Sequence, residues 1–381
     1  MRLLHTSDWH IGRQLHGVSL LDDQAHVLEQ VIAIVAEQRV DVVLIAGDIY
    51  DRSVPPADAV RLLNATLNRL CRELEVPVIV IAGNHDSGDR LDFGADLLRD
   101  TGLHIVGTLT TNLNPVCLTV DGVTVDFFGL PYADPARVRH LYGADVSTHE
   151  QAMEQLLARV ESQRVSGRPT VLLSHCFIDG GSESESERPL SIGGADRIAP
   201  ELFLPYSYVA LGHLHRPQFK GAEHVRYSGS LLKYSFSEAY QNKAVTLVDI
   251  DAAGAVSIAQ VALQPRRNMR VLDGALADIL RVGATDPAAD DYVMARLSDT
   301  HAILDIMGRL REVYPNTLHL ERPGLMPRGA LAETAKAVLK KGELALFEDF
   351  FNEVNGAPVS DEQRAIVVET LEVLRSAAVQ T

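Results

Sequence analysis

Leu3-Leu4-His5-Thr6-Ser7-Asp8-Trp9-His10 is a short apolar run that stops on two residues able to ligate a metal, Asp8 and His10. The same grammar recurs four times. Residues 42–47 lead into Asp48, 78–83 into Asn84-His85-Asp86, 170–174 into His175, and 209–212 into His213-Leu214-His215. Each run has strand length, and in α/β sheets ligands gather at the carboxyl ends of strands. Five such tips can meet at one point although long stretches of chain separate them. Asp8, His10, Asp48, Asn84, His175, His213 and His215 offer mixed oxygen and nitrogen donors. That set suits manganese, iron or zinc better than calcium. A carboxylate such as Asp48 can bridge two ions, and such a pair clamps a phosphate and activates water.

Each fragment also has an ordinary reading. Asp-x-His after a strand is usually a turn or a capped loop. Gly83-Asn84-His85-Asp86 can be a turn, because Gly and Asn tolerate positive φ. A lone His-x-His pair more often binds nothing. The joint occurrence, in order and at strand ends, carries the inference.

Between the first tips the sequence has helical periodicity over 20–39, 57–73 (opened by Pro55-Pro56) and 91–101 (stopped by Gly102). This βαβαβα order predicts a mostly parallel sheet covered by helices. The middle reads as antiparallel. A hairpin at Asp121-Gly122 joins 116–120 to 123–128. Helices are expected at 135–142 and 148–165, strands at 170–174, 208–211 and 225–227, and a last hairpin over 244–250 and 255–261. Residues 178–199, with Gly180-Gly181 and alternating Ser and Glu from 182 to 187, read as an exposed flexible loop without chemistry of its own. Domains are expected over 1–265, 269–323 (a small α+β unit) and 330–378 (a helical pair), with a Pro/Gly-rich linker at 323–329. Phe347, Phe350, Phe351 and Val354 form a stripe at helical spacing. Ser360 and Gln363 make a capping box for a final helix carrying Ile366, Val367, Leu371 and Leu374.

The chain has 381 residues and is 46% hydrophobic, ordinary for a soluble protein of two or three domains. No run approaches the ~18 apolar residues of a membrane span, and no secretory leader is visible, so a cytoplasmic protein is expected. Cys71, Cys117 and Cys176 are dispersed and odd in number, which argues against disulfides or structural zinc. The net charge of −16 repels polyanions in bulk. A nucleic acid would therefore need a local basic patch, metal ions or a partner to hold it, and residues 266–381 too contain more acidic than basic side chains.

Taken in order, Asp8-x-His10, Gly47-Asp48-Ile49-Tyr50-Asp51, Gly83-Asn84-His85-Asp86, His175 and Gly212-His213-Leu214-His215 resemble the signature of the calcineurin-like metallophosphoesterases. The opening through Ile11-Gly12, and Val225-Arg226-Tyr227-Ser228-Gly229-Ser230, resemble the SbcD branch in particular. The resemblance implies an α/β sandwich of mixed sheets flanked by helices, a small capping domain and a C-terminal helical pair. It implies a manganese-dependent DNA nuclease that works with an SbcC-type coiled-coil ATPase, as a homodimer within a heterotetramer on the nucleoid. It also implies roles. Asp8, His10 and His215 would hold one metal; Asn84, His175 and His213 the other; Asp48 would bridge. His85 would contact the scissile phosphate and Asp51 would orient His85. A small-molecule phosphodiesterase or phosphatase on the same fold is the alternative, and a non-catalytic scaffold a third. Arg52 can touch phosphate or face solvent. Trp9 reads as a residue packed beneath the site, with base stacking the alternative, His5 as packing in the core or behind the ligands, and Cys176 as a small buried residue.

Overall fold

The computed structural model describes residues 1–188, 190 and 196–323, and further on 347, 348, 351, 359, 360, 363, 364, 366 and 367. By contacts the chain divides into two units. One comprises Met1–Asp273, Ala277–Ala295 and Asp305–Leu320; the other comprises Gly274–Leu276, Arg296–Leu304 and Glu321–Thr381.

Two six-stranded sheets build the first unit. The first runs in the order Val256–Ala262, Ala244–Ile250, Arg2–Thr6, Val42–Ala46, Val78–Ile81, Leu103–Val106. Its last four strands are parallel and Ala244–Ile250 joins Arg2–Thr6 antiparallel. The second runs Gln218–Lys220, Ala222–Tyr227, Tyr208–Gly212, Thr170–His175, Val123–Leu130, Val116–Val120.

Strand side chains alternate between faces, and the alternation sorts the core into layers. Leu3, Val42, Leu44, Ile79 and Ile81 meet Val125, Phe127, Val171, Leu173 and Tyr208 between the sheets. Their neighbours Leu4, Val43 and Ile45 turn outward against Val27, Leu28, Val31 and Val35 of the helix Leu21–Glu37. Leu172 and Val209 pack likewise on Leu156, Leu157 and Val160 of the helix His149–Glu161. Full burial of each such side chain contributes about 1.5–3 kcal/mol. Strands covered on both faces read as unbroken apolar runs, which is why these five tips are conspicuous in the sequence.

Three expectations change. The interior of the second sheet is parallel, and only its edge strands Val116–Val120 and Gln218–Lys220 are antiparallel. The helices Pro135–Tyr142 and His149–Glu161 supply one of the crossovers that parallel pairing requires. The expected helix at 91–101 is instead three short turns, Gly88–Leu91, Ala95–Leu98 and Arg99–Thr101. Gly94, at φ 74°, interrupts it in the left-handed region. Leu103–Val106, unforeseen, then adds the fourth parallel strand. Residues 182–188 are no free loop, as the site below makes plain.

Beyond residue 268, strands Met269–Gly274, Tyr292–Leu297 and Thr317–Glu321 form a three-stranded sheet with helices Leu276–Gly283 and Ile306–Val313. In the second unit, Arg296 pairs with Glu321 at 2.8 Å. The Ser360/Gln363 capping box is present, with Ser360 N donating to Gln363 Oε1 at 3.0 Å and Gln363 N to Ser360 Oγ at 3.3 Å. Phe347 and Phe351 approach at 6.0 Å between ring centroids. Phe350, Val354, Leu371 and Leu374 lie outside the described residues, as does most of the linker. No helix among the described residues is long and apolar enough to cross a membrane.

Candidate metal centre

The strand tips are tied to one another by their main chains. Asp8 N donates to Gly47 O at 3.0 Å, His10 N to Asp48 O at 2.9 Å and Ile11 N to Ile49 O at 2.9 Å. Asp8, His10, Asp48 and His213 all have positive φ, at 52°, 44°, 50° and 110°. Such conformations cost non-glycine residues on the order of 1–3 kcal/mol each and persist where the surroundings over-determine them.

Asp48 is the hub. Its Oδ1 accepts from His85 N at 2.9 Å. Its Oδ2 lies 3.5 Å from His10 Nε2, 3.6 Å from His175 Nε2 and 4.0 Å from His85 Nε2. To one side His10 Nε2 stands 3.1 Å from His215 Nε2, and Asp8 joins them within ligating range. To the other, His175 Nε2 stands 2.9 Å from Asn84 Oδ1. His213 donates its main-chain N–H to both Asp8 carboxylate oxygens, at 3.0 and 3.2 Å, and its ring lies 5.5 Å from that of His175. Six of the seven expected ligands therefore bring a donor atom to one place, and His213 adjoins them through its main-chain N–H and a ring beside His175.

One of these contacts sets lone pair against lone pair, and a second leaves a buried ring nitrogen without a partner. His175 Nδ1 donates to Ala46 O at 2.9 Å, and burial pushes its pKa down to about 4, so the ring is neutral and Nε2 is bare. That nitrogen faces the Asn84 oxygen. His215 Nδ1 is spent on Ser186 Oγ at 2.6 Å, and burial holds this ring too down to about 4. Its bare Nε2 faces His10, whose Nδ1 is buried with no hydrogen-bond partner among the described residues. Burial likewise raises Asp48 to about 6, and burial and the Asp48 charge raise Asp8. Unpartnered buried acceptors are costly, and cations beside the facing donors and carboxylates would offset that cost. The donor set fits a pair of divalent ions.

His85 borders this arrangement, its ring 4.7 Å from that of His10. Its Nδ1 donates to the main-chain carbonyl of Asp51 at 2.9 Å, leaving Nε2 directed toward Asp48. The Asp51 carboxylate meets Arg13 at 3.0 Å and Arg52 at 3.7 Å, and it also lies within ligating range of His10 and His85, its Oδ1 3.9 Å from His10 Nδ1. Arg52 is mostly exposed. Trp9 is buried, its Nε1 on Thr6 Oγ1 at 3.0 Å, and His5 is buried against Tyr208 and Leu211. Cys176 is buried, which pushes its thiol up to about 12.

Several residues escaped the sequence reading. Asp86 accepts from the main-chain N–H of Ile49 (3.0 Å), Tyr50 (2.9 Å) and Gly83 (2.9 Å), locking two tips together. Its place after Asn84-His85 was the only signal. Ser186, in the segment expected to be exposed, is buried and bonded to His215 and Glu238. Glu187 accepts from His215 N at 2.6 Å, and burial raises its carboxyl to about 7. Glu238 is buried and pairs with buried Lys243 at 2.6 Å. No local motif marks these residues, since the partners lie far apart in sequence.

Residues 1–217 match the family model of the calcineurin-like phosphoesterases, and residues 265–355 match that of the SbcD carboxyl-terminal domain, described as the type 5 capsule protein repressor C-terminal domain. Similar solved structures include a protein of Thermus thermophilus (16% identity, 68% of this chain and 98% of that one, TM-score 0.39). A dimetal phosphatase from Danio rerio (13% identity, 69% and 99%, TM-score 0.39) and the NAD nucleotidase of Haemophilus influenzae (16%, 69% and 56%, TM-score 0.35) are others. By the extent of its first match this chain belongs to the calcineurin-like phosphoesterase family, and its second is a likeness to the carboxyl-terminal domain of SbcD.

Proposed function

We propose that this chain is a two-metal DNA nuclease, a double-strand exonuclease and single-strand or hairpin endonuclease. In this reading Asp8, His10 and His215 hold one divalent ion, Asn84, His175 and His213 the other, and Asp48 reaches both. The observation that carries it is the Asp48 Oδ2 atom, with three buried imidazole nitrogens within 4.0 Å. When bound, the ions supply Lewis acidity at the phosphate and lower the pKa of water; manganese is the proposed metal. His85 has its Nδ1 proton fixed on the Asp51 carbonyl. Its Nε2 is therefore the atom that meets the scissile phosphate and holds or passes a proton at the leaving oxygen. Asp51 acts on His85 through its main chain, and its carboxylate holds Arg13 beside the site.

The match over residues 265–355 supports DNA as substrate and an SbcC-type ATPase as partner. We assign the phosphoesterase chemistry to 1–265, presentation of DNA to 269–323 and docking on the coiled-coil ATPase to the segment 330–378. The assembly would be a heterotetramer containing two copies of this chain. It would act in the cytoplasm, on the nucleoid, in DNA repair, recombination and replication. The net charge of −16 supports dependence on that partner for grip.

End-labelled duplex DNA with Mn²⁺, incubated with wild type, His85→Gln and Asp48→Ala, tests the reading, with an aryl phosphodiester and a cyclic dinucleotide alongside. Degradation by wild type alone, with His85→Gln still binding metal, is the expected result. Hydrolysis of the small diesters only, even with the ATPase present, would transfer the site to a small-molecule phosphodiesterase.

A further inference from the structure

His215 is held at three points by groups that no metal needs. Its N–H donates to Glu187 Oε1 at 2.6 Å, and its carbonyl accepts from Lys243 Nζ at 2.7 Å. Its Nδ1 meets Ser186 Oγ at 2.6 Å. Lys243 Nζ also meets Glu238 Oε2 at 2.6 Å, and Glu238 Oε1 accepts from Ser186 Oγ. The chain of bonds thus closes on itself, from the His215 ring through Ser186, Glu238 and Lys243 back to the His215 carbonyl. His215, Glu238, Ser186 and Lys243 are all buried.

Proton counting fixes the direction. A carboxylate paired with an ammonium only accepts, so the single hydroxyl proton of Ser186 goes to Glu238. The lone pairs of Ser186 Oγ are then free to accept from His215 Nδ1–H, with Ser184 Oγ, 2.9 Å away, able to donate to the same oxygen. This forces the His215 tautomer with Nε2 unprotonated and aimed at His10. A partner on the far ring nitrogen is what gives a ligating histidine its orientation and basicity.

We propose that Ser186 and Glu238 are positioning residues for His215, a serine-relayed carboxylate that fixes its ring and tautomer for the ion shared with Asp8 and His10. The idea rests on the reading of His215 as a ligand. It also gives residues 182–188 a purpose. Ser182, Glu185 and Ser186 are pinned by Gln218, Ser237 and Arg13, at 2.9, 3.1 and 3.2 Å. The strap is built to deliver one hydroxyl.

The test is Mn²⁺ binding to the full chain, followed by calorimetry and by the Mn²⁺ electron paramagnetic resonance signal, for wild type, Ser186→Ala, Ser186→Thr, His215→Ala and the double variant. Losing a group behind a metal ligand typically weakens affinity about 10- to 100-fold. Ser186→Ala should lose that much at one of two ions and leave the other unchanged, and Ser186→Thr should restore it. Because the serine acts through His215, the double variant should bind no more weakly than His215→Ala alone. Equal affinities for both ions in wild type and Ser186→Ala overturn the proposal, as does a double variant whose losses add. A wild type that binds no Mn²⁺ would instead overturn the metal reading beneath it.

Discussion

Gly83→Ala makes a sharp test of how little space surrounds the hub. The added Cβ would lie 2.1 Å from Asp48 Oδ1 and 2.3 Å from Asp48 N. A carbon needs roughly 3.5 Å from a non-bonded heavy atom, so Asp48 or the 83–86 turn must recede by more than about 1 Å. Neither can do so freely. Asp48 Oδ1 accepts from His85 N, and Gly83 N donates to Asp86. Gly83 has no positive φ, so the obstacle is space alone. Overpacking of this kind costs about 1–3 kcal/mol of stability. A 1 Å misplacement at a reacting centre costs about 10²-fold in rate. Steady-state hydrolysis of an aryl phosphodiester with saturating Mn²⁺ should show kcat lower by about that factor, and a thermal melt should show a lower midpoint. Wild-type kcat with an unchanged melt would refute the claim that Asp48 is held where chemistry needs it.

Other outcomes follow from the same geometry. Asp51→Asn keeps the carbonyl that holds His85, so it should cost only a few-fold in kcat, far less than His85→Gln; equal losses would mean the carboxylate orients the histidine after all. Asp86→Ala removes three main-chain hydrogen bonds to one buried carboxylate, and at about 1 kcal/mol or more each should destabilise the fold by roughly 3 kcal/mol in urea melts. Mn²⁺ affinity should fall as pH drops through about 6, because Asp48, raised by burial, binds a cation only when deprotonated. His175 and His215 stay neutral down to about 4. A calorimetric midpoint near 4 would hand control to the imidazoles.

Residue identity supplies the donors of the site, and burial sets the pH at which they bind. From unperturbed values the histidines would be expected to lose metal near pH 6–6.5. Their burial, invisible in a motif, moves them well below that and passes the pH dependence to a carboxylate. The candidate ligands were legible because each ends an apolar run, and a strand buried on both faces leaves an unbroken apolar trace. The parallel pairing of Val123–Leu130, Thr170–His175 and Tyr208–Gly212 was hidden because periodicity reports faces but not direction. Gly94 was one glycine among 27, and its left-handed φ, which breaks the expected helix, carries no local mark. Ser186 looked like part of a solvated Ser/Glu run; only the fold brings Glu238 and His215 to it.

The first sheet has a consequence for how the molecule is made. Arg2–Thr6 is an inner strand, yet the partner on one of its sides is Ala244–Ile250, with Leu4 opposite Leu247. About 240 residues must be synthesised between the two, and at the usual 5–20 residues per second that takes roughly 12–50 s. Throughout that interval the strand carrying Asp8 presents an open apolar edge, the kind that recruits foreign strands. A ribosome-bound chaperone, or slower expression at low temperature, should therefore raise the yield of soluble protein more than it would for a fold whose first strand is paired early.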